Sequence, residues 1–537
     1  MIEPFAGRSG QPAGKKRTIG LSPWAFLASS GPSTVIVLGL ASVLALAPVL
    51  MYPLPPLADY PNHLARMHVI ATIGSDPDLS RHYDIHWQII PNLIMDMVVP
   101  LLTRVTDIYH AGQIYTVICL ALLATSIFAL NRALFGGWSV LGIAALPFLY
   151  NHIFFLGYMN YLFGVGLALW AAAVWVLLRD RPWPWRLLAS ALLAAALFFS
   201  HLVAAGIYGM TLLALELWRL RQRRSTPLAI RLADFAATGL PFLPILALLI
   251  ASPTWGLAGT NQWSLPAKLE GLYFVVSAYS DAVDFALAAT LAALLAWAAF
   301  RRELRVHPAG WVLLGLGAII YLAMPNIMFD TYVADERLPV AIVLVAIAFT
   351  SLEARGRLAR HVASLGLLIL LAMRVVEVGV NWSELSRQTA EVRTSTRFIE
   401  QRGARVLVGQ SDQTSENEAF DFALAHAGCL AIIERSAFVA NAFVFPGKQI
   451  MDVRPAYRRI AELADGDLPT LEQLAAASTM AEQPDTTAPY WQQWQTDFDY
   501  LYVMYTDRDE PNPLPKLLTL VYSGDRFQLY KIRKAVP

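Results

Sequence analysis

Charge disappears from long stretches of this 537-residue chain, and several of the connectors between those stretches are rich in arginine. Apolar runs occupy 34–52, 112–130, 138–150, 161–178, 187–215, 235–250, 285–300, 311–329, 338–352 and 362–380. A helix needs about 20 such residues to cross the hydrocarbon core of a bilayer. The chain is 56% hydrophobic and 15% charged, against roughly 25% charged for soluble domains. These runs predict an all-α polytopic membrane bundle.

The connectors orient it. Arg132, then Arg179, Arg181 and Arg186, then Arg219, Arg221, Arg223 and Arg224, then Arg301, Arg302 and Arg305, then Arg355, Arg357 and Arg360 mark the cytoplasmic side by the positive-inside rule. The segment 1–32 carries Lys15, Lys16 and Arg17 ahead of the first run, so it reads as a cytoplasmic tail before a signal anchor. For Arg132 to lie inside after one outward crossing, a single crossing must separate it from residue 52. The interrupted run 89–102 therefore cannot span, and reads as an amphipathic helix on the outer surface. The stretch 138–178 holds two crossings, turning outside around Asn151, His152, Tyr158 and Asn160. The run 187–215 has arginines beyond both ends, so it must turn back on itself, with Ser200-His201 at the outer apex. This threading gives about 11 crossings, a 33–382 membrane module with an outer first loop at 54–110, outer loops at 251–283 and 330–337, and a tail at 383–537 outside the cell (inner) membrane. Arg374 and Glu377 lie in the last crossing at i and i+3, where they can pair.

The tail reads as a soluble α/β domain, with strand-like runs at 405–408, 438–445, 501–505 and 527–532. It has no glycine-rich phosphate loop, nucleophile elbow or HExxH pattern, so the chemistry is expected in the membrane module. Cys119 sits in an apolar run and Cys429 in the tail, which argues against a disulfide and against cysteine-bound zinc. The net charge of +1 and the lack of a basic patch outside the connectors exclude a nucleic-acid surface.

With this threading the unusual polar residues gather on the outer face. The segment 57–66 reads Leu-Ala-Asp-Tyr-Pro-Asn-His-Leu-Ala-Arg and places Asp59, His63 and Arg66 just past the first crossing. Asp96, Asn151, His152, Asn160, His201, Asp335, Glu336 and Arg337 join them from other loops, as does Asp330. Each has an ordinary reading as well. Asp59 suits the cap of a helix beginning at Pro61. His63 and Arg66 suit lipid headgroups, Asn151 and His152 suit helix ends, and 335–337 suits a solvated loop. The sequon at Asn381 reads as accidental.

This layout resembles the GT-C class of integral-membrane glycosyltransferases. The resemblance rests on Ala58-Asp59-Tyr60-Pro61-Asn62-His63 in the first outer loop, with looser support from 157–161, Ser200-His201 and 335–337. No WWDYG-like motif is present. The resemblance implies a polyprenyl-phosphate-linked sugar as donor and a glycan, lipid or protein as acceptor. It implies Asp59 as base of an inverting transfer and Arg66 or Arg337 as the phosphate holder, with 89–102 walling the groove. A divalent cation between Asp59 and Asp96 or Asp335 stays open, as does a lipid or glycan transporter, for which charges at mid-membrane depth would speak, or a non-catalytic sensor.

Overall fold

The computed structural model describes residues 32–257, 261–328, 331–354, 356–463, 468–479 and 488–534. The basic tail with Lys15, Lys16 and Arg17, together with Asp330 and Arg355, lies outside these. Among the described residues eight helices are long and apolar enough to cross a membrane: Ser33–Met51, Ile108–Phe135, Met159–Asp180, Trp183–Ser200, Leu202–Gln222, Leu228–Ala251, Asp281–Phe300 and Leu358–Phe398. Three shorter apolar helices, Val140–Leu149, Pro308–Ala323 and Arg337–Ala348, correspond to the remaining expected runs. The molecule is a multi-pass helical membrane protein with a C-terminal α/β domain.

Val140–Leu149 departs most from a regular crossing. It is a 10-residue 3₁₀ helix, buried throughout, and spans only about 20 Å at 2 Å per residue. Irregular backbone is tolerated at membrane depth when protein surrounds it. Here Gly142 lets Phe128 approach so closely that a Cβ would lie 2.6 Å from its ring.

The arginine connectors meet at one end of the bundle. Strand β2 (Leu304–Val306) pairs antiparallel with β3 (Thr350–Leu352). Asn131 donates to the carbonyls of Ala348 and Thr350, and His307 packs on Phe135, Trp218 and Phe349. The run 187–215 does turn back, as Trp183–Ser200 and Leu202–Gln222 with His201 between them. Its arginine end is held by a buried pair, Arg186 with Glu216 at 2.9 Å.

At the other end lies the first loop, with helix Tyr60–Thr72, strand β1 (Tyr83–Ile85) and helix Ile94–Leu102. The last of these has nine residues, far too few to span. Met95 and Val99 face the protein while Met97 and Leu101 are exposed, as on a helix lying on the surface. Arg374 and Glu377 do pair, at 2.7 Å, and Arg374 also binds buried Asp284 at 2.7 Å.

The helix Arg357–Ser395 has 39 residues, about 58 Å at 1.5 Å per residue. It therefore runs on past the expected 382/383 boundary and carries Thr389 and Ser395 into the tail. There β4 (Arg405–Gln410), β5 (Phe438–Val439), β7 (Tyr500–Met504), β8 (Leu518–Ser523) and β9 (Phe527–Ile532) form a sheet of order β5-β4-β7-β9-β8. The parallel pairs β4–β5 and β4–β7 occupy one side of it, with β5 at the edge, and β9 is antiparallel to both neighbours. The tail is stitched to the first loop: β1 pairs with β6 (Met451–Val453), Asp76 accepts from Arg402 and Ser436, and the His82 ring meets the Gly403 carbonyl at 3.0 Å.

Candidate active site

Between the bundle, the first loop and the tail lies a cavity of about 500 Å³. One end is polar, with Asp59, His63, Asn160, His201, Arg337 and Lys448 in its lining. The other is apolar and follows one face of Leu202–Gln222 through Leu202, Val203, Gly206, Ile207 and Met210, opposite Ile320 and Met324. Positions 202 to 210 cover about 12 Å of helix. The cavity thus joins ionisable chemistry at the end away from the arginine connectors to an apolar slot between two membrane helices.

Asp59 precedes helix Tyr60–Thr72 but does not cap it: its side chain makes no cap hydrogen bond, and its φ and ψ of −80° and −9° are already helical. The carboxylate instead faces His426 of the tail, with Oδ1 3.5 Å from Nε2. Its backbone is anchored from 155–157, since Ala58 N donates to Phe155 O and Asp59 N to Leu156 O. Gly157 makes this approach possible. Its φ is +89°, and a Cβ there would stand 3.1 Å from both Cβ and N of Asp59.

Arg337 opens helix Arg337–Ala348 and reaches into the cavity. One of its nitrogens donates to Tyr332 O at 2.8 Å, another lies 3.0 Å from His201 Nε2, and the guanidinium stacks 4.1 Å from the Tyr158 ring centre. His201 Nδ1 meanwhile accepts from Val203 N. A neutral imidazole has a single acceptor nitrogen, so it cannot serve both donors. Arg337 Nε, buried, has no hydrogen-bond partner. This corner holds more donors than acceptors, the condition that an arriving anion relieves.

Several residues expected at the site lie elsewhere. Arg66 and Asp96 are wholly buried against each other in a forked pair of 2.7 and 3.1 Å, tying the two first-loop helices together. Neither lines the cavity, because both side chains point into the packing between those helices. Asn151 caps helix His152–Phe155 by accepting from Phe154 N. His152 is stacked on Phe274 at 3.9 Å and paired with Glu418 of the tail. Asp335 is not solvated: it is paired with buried Lys268 at 2.5 Å and accepts from Asn326. Asp96 and Asp335 are thus each paired with a cationic side chain, Arg66 and Lys268. Among the described residues no three His, Cys, Asp or Glu side chains group as for a metal ion. Asn160 does line the cavity, but its amide is spent on positioning: Oδ1 accepts from Met95 N and Tyr115 OH, and Nδ2 donates to Asn92 O. His63 faces the cavity, kept well below the usual imidazole range by burial first and then by Arg66 and His426.

Glu336 sits beside Asp335 and shares the Asn326 amide. Burial, then the neighbouring Asp335 and Glu270, push it from 4.5 up to about 7. Because its folded value is the higher one, its stabilising contribution is complete below about pH 4.5 and fades as pH rises through about 7. Glu336→Gln should flatten that slope in thermal melts of detergent-extracted protein between about pH 5 and 8. A melt whose pH dependence matches the parent would show that Glu336 does not govern the loop.

His426, Phe443, Phe445, Lys448 and Gln449 all come from the tail, which was expected to leave the chemistry to the membrane module. No spacing signals them, since they meet the first loop only through the folded sheet.

No protein-family model matches this chain, and no curated protein matches it. Among solved structures it is similar to ArnT from Cupriavidus metallidurans bound to undecaprenyl phosphate, with a TM-score of 0.48 and 10% identity over 93% of this chain and 98% of that one. It is also similar to the same protein in the apo state, with a TM-score of 0.42 and 11% identity over 93% and 97%.

Proposed function

We propose that this chain is a membrane glycosyltransferase that takes a sugar from a polyprenyl-phosphate donor and passes it to an acceptor hydroxyl at the extracytoplasmic face. The cavity carries this reading: a carboxylate and a donor-rich cationic corner share one chamber that continues as an apolar slot between membrane helices. A polyprenyl tail fits against Leu202, Val203, Ile207 and Met210, and its phosphate fits the corner formed by Arg337, Lys448 and His201. The acceptor oxygen gives its proton to Asp59 as it bonds to the anomeric carbon. The bond from that carbon to the phosphate oxygen breaks, its electron pair leaves on the phosphate, and Arg337 holds the added charge. Attack opposite the leaving group inverts the anomeric centre. The arginine connectors support a cytoplasmic location for the other end of the bundle, and hence an outer tail, in the cell (inner) membrane. A transporter would place its charged site at mid-membrane depth, whereas the polar end here lies beside the first loop and tail.

Arg337→Gln tests the donor site. Binding of farnesyl phosphate, a short polyprenyl phosphate, should weaken about tenfold or more, the scale of a lost hydrogen bond to a charged group. Arg337→Lys should recover only part, because the planar fork is lost. Unchanged affinity in Arg337→Gln would remove the phosphate from this corner.

A further inference from the structure

The approach of a tail histidine to Asp59 has a defined chemical sense. Asn62 is wholly buried and its amide orientation is set by two backbone groups: Oδ1 accepts from Phe443 N at 2.9 Å, and Nδ2 donates to Asn441 O at 2.9 Å. The same Nδ2 lies 3.2 Å from His426 Nδ1. Since that amide nitrogen is a donor only, Nδ1 must accept, and a neutral imidazole then carries its proton on Nε2. Nε2 is the atom that faces Asp59 Oδ1 at 3.5 Å. Burial holds His426 at about 4, so it stays neutral near pH 7. Phe443 braces the ring edge-on at 4.9 Å.

We infer that His426 is a positioning residue for Asp59: Asn62 fixes its tautomer so that an uncharged N–H is aimed at one carboxylate oxygen. This rests on Asp59 being the base. A charged partner would hold the carboxylate in a tight ion pair and blunt its basicity, whereas a neutral donor steers it with less cost to proton affinity. The separation exceeds that of a formed hydrogen bond, and such contacts close up when substrate fills an open site. The arrangement also makes the reaction depend on the tail, which supplies the histidine while the first loop supplies both the carboxylate and the amide.

Among the described residues, the ionisable groups around this pair are His63 on the same helix as Asn62, and His201, Arg337 and Lys448 in the cavity lining. Asp59 is the carboxylate that His426 Nε2 faces, so a change at His426 reads out through Asp59. The test follows release of polyprenyl phosphate from a synthetic polyprenyl-phosphate hexose or pentose, in the full-length protein. His426→Phe keeps an aromatic ring but has no donor. It should lower kcat about tenfold, with KM for the lipid donor unchanged, and move the acid limb of the pH profile upward by roughly one unit, the scale of one hydrogen bond to a charged group. His426→Gln, whose amide can offer an N–H, should restore most of the rate and the profile. If His426→Phe fails to fold, His426→Leu provides the same loss of donor. In an Asp59→Asn background the His426→Phe change should have no further effect, because the group it positions is gone. A parent-like kcat and pH profile in the folded donor-less variant, with Asp59→Asn inactive, would overturn the inference and leave the base intact. A parent-like rate in Asp59→Asn would instead remove the base itself.

Discussion

Asp59→Asn is expected to lower the rate of sugar transfer by something on the order of 10²–10⁴, in a protein that melts where the parent does. Stability and rate separate here because the carboxylate makes no cap hydrogen bond, so the isosteric amide takes away little that holds the helix. What it takes away is the only carboxylate among the described residues of the cavity lining, and with it the proposed acceptor for the hydroxyl proton. The measurement pairs transfer from polyprenyl-phosphate sugars with a thermal melt of the same preparation. Full-rate transfer by a normally folded variant would exclude Asp59 from proton transfer.

Arg66→Met is expected to do the reverse, destabilising the protein by about 3–5 kcal/mol, because it strands the buried Asp96 carboxylate without its counter-charge. Arg66→Met with Asp96→Leu should recover most of that loss, since two apolar side chains replace a fully desolvated pair. Chemical denaturation of detergent-extracted protein gives the values. Were Arg66→Met as stable as the parent but unable to bind farnesyl phosphate, Arg66 would have to be returned to the substrate site.

These two residues show where a linear reading reaches and where it ends. Asp59 and Arg337 were legible because one follows and the other precedes an apolar run, and His201 because it marks the apex where the run 187–215 turns back; membrane depth is written in hydropathy. Arg66 lies seven positions after Asp59 and looked equivalent, yet one faces the cavity and the other a neighbouring helix. Helical phase relative to a partner that is itself unplaced cannot be read from one strand of text. Asp335 failed for a related reason: its partner Lys268 lies 67 residues earlier in another loop, and nothing local links the two. The tail strands β4, β5, β7 and β9 were visible as apolar β-branched and aromatic runs. β8 was missed because its sequence, Leu-Thr-Leu-Val-Tyr-Ser, is half exposed at the sheet edge.

The contact between Asn62 and His426 joins residues 364 positions apart, and that distance bears on how the protein is made. The first loop is made early in synthesis, while the histidine that faces its aspartate comes 364 positions after Asn62. Until then Asn62 has none of its three partners, and β1 has no strand to pair with. Such long-range closure is slow to form. Under the proposed function, the orientation of Asp59 therefore waits until residues 426–443 of the tail have been made and folded back onto the first loop.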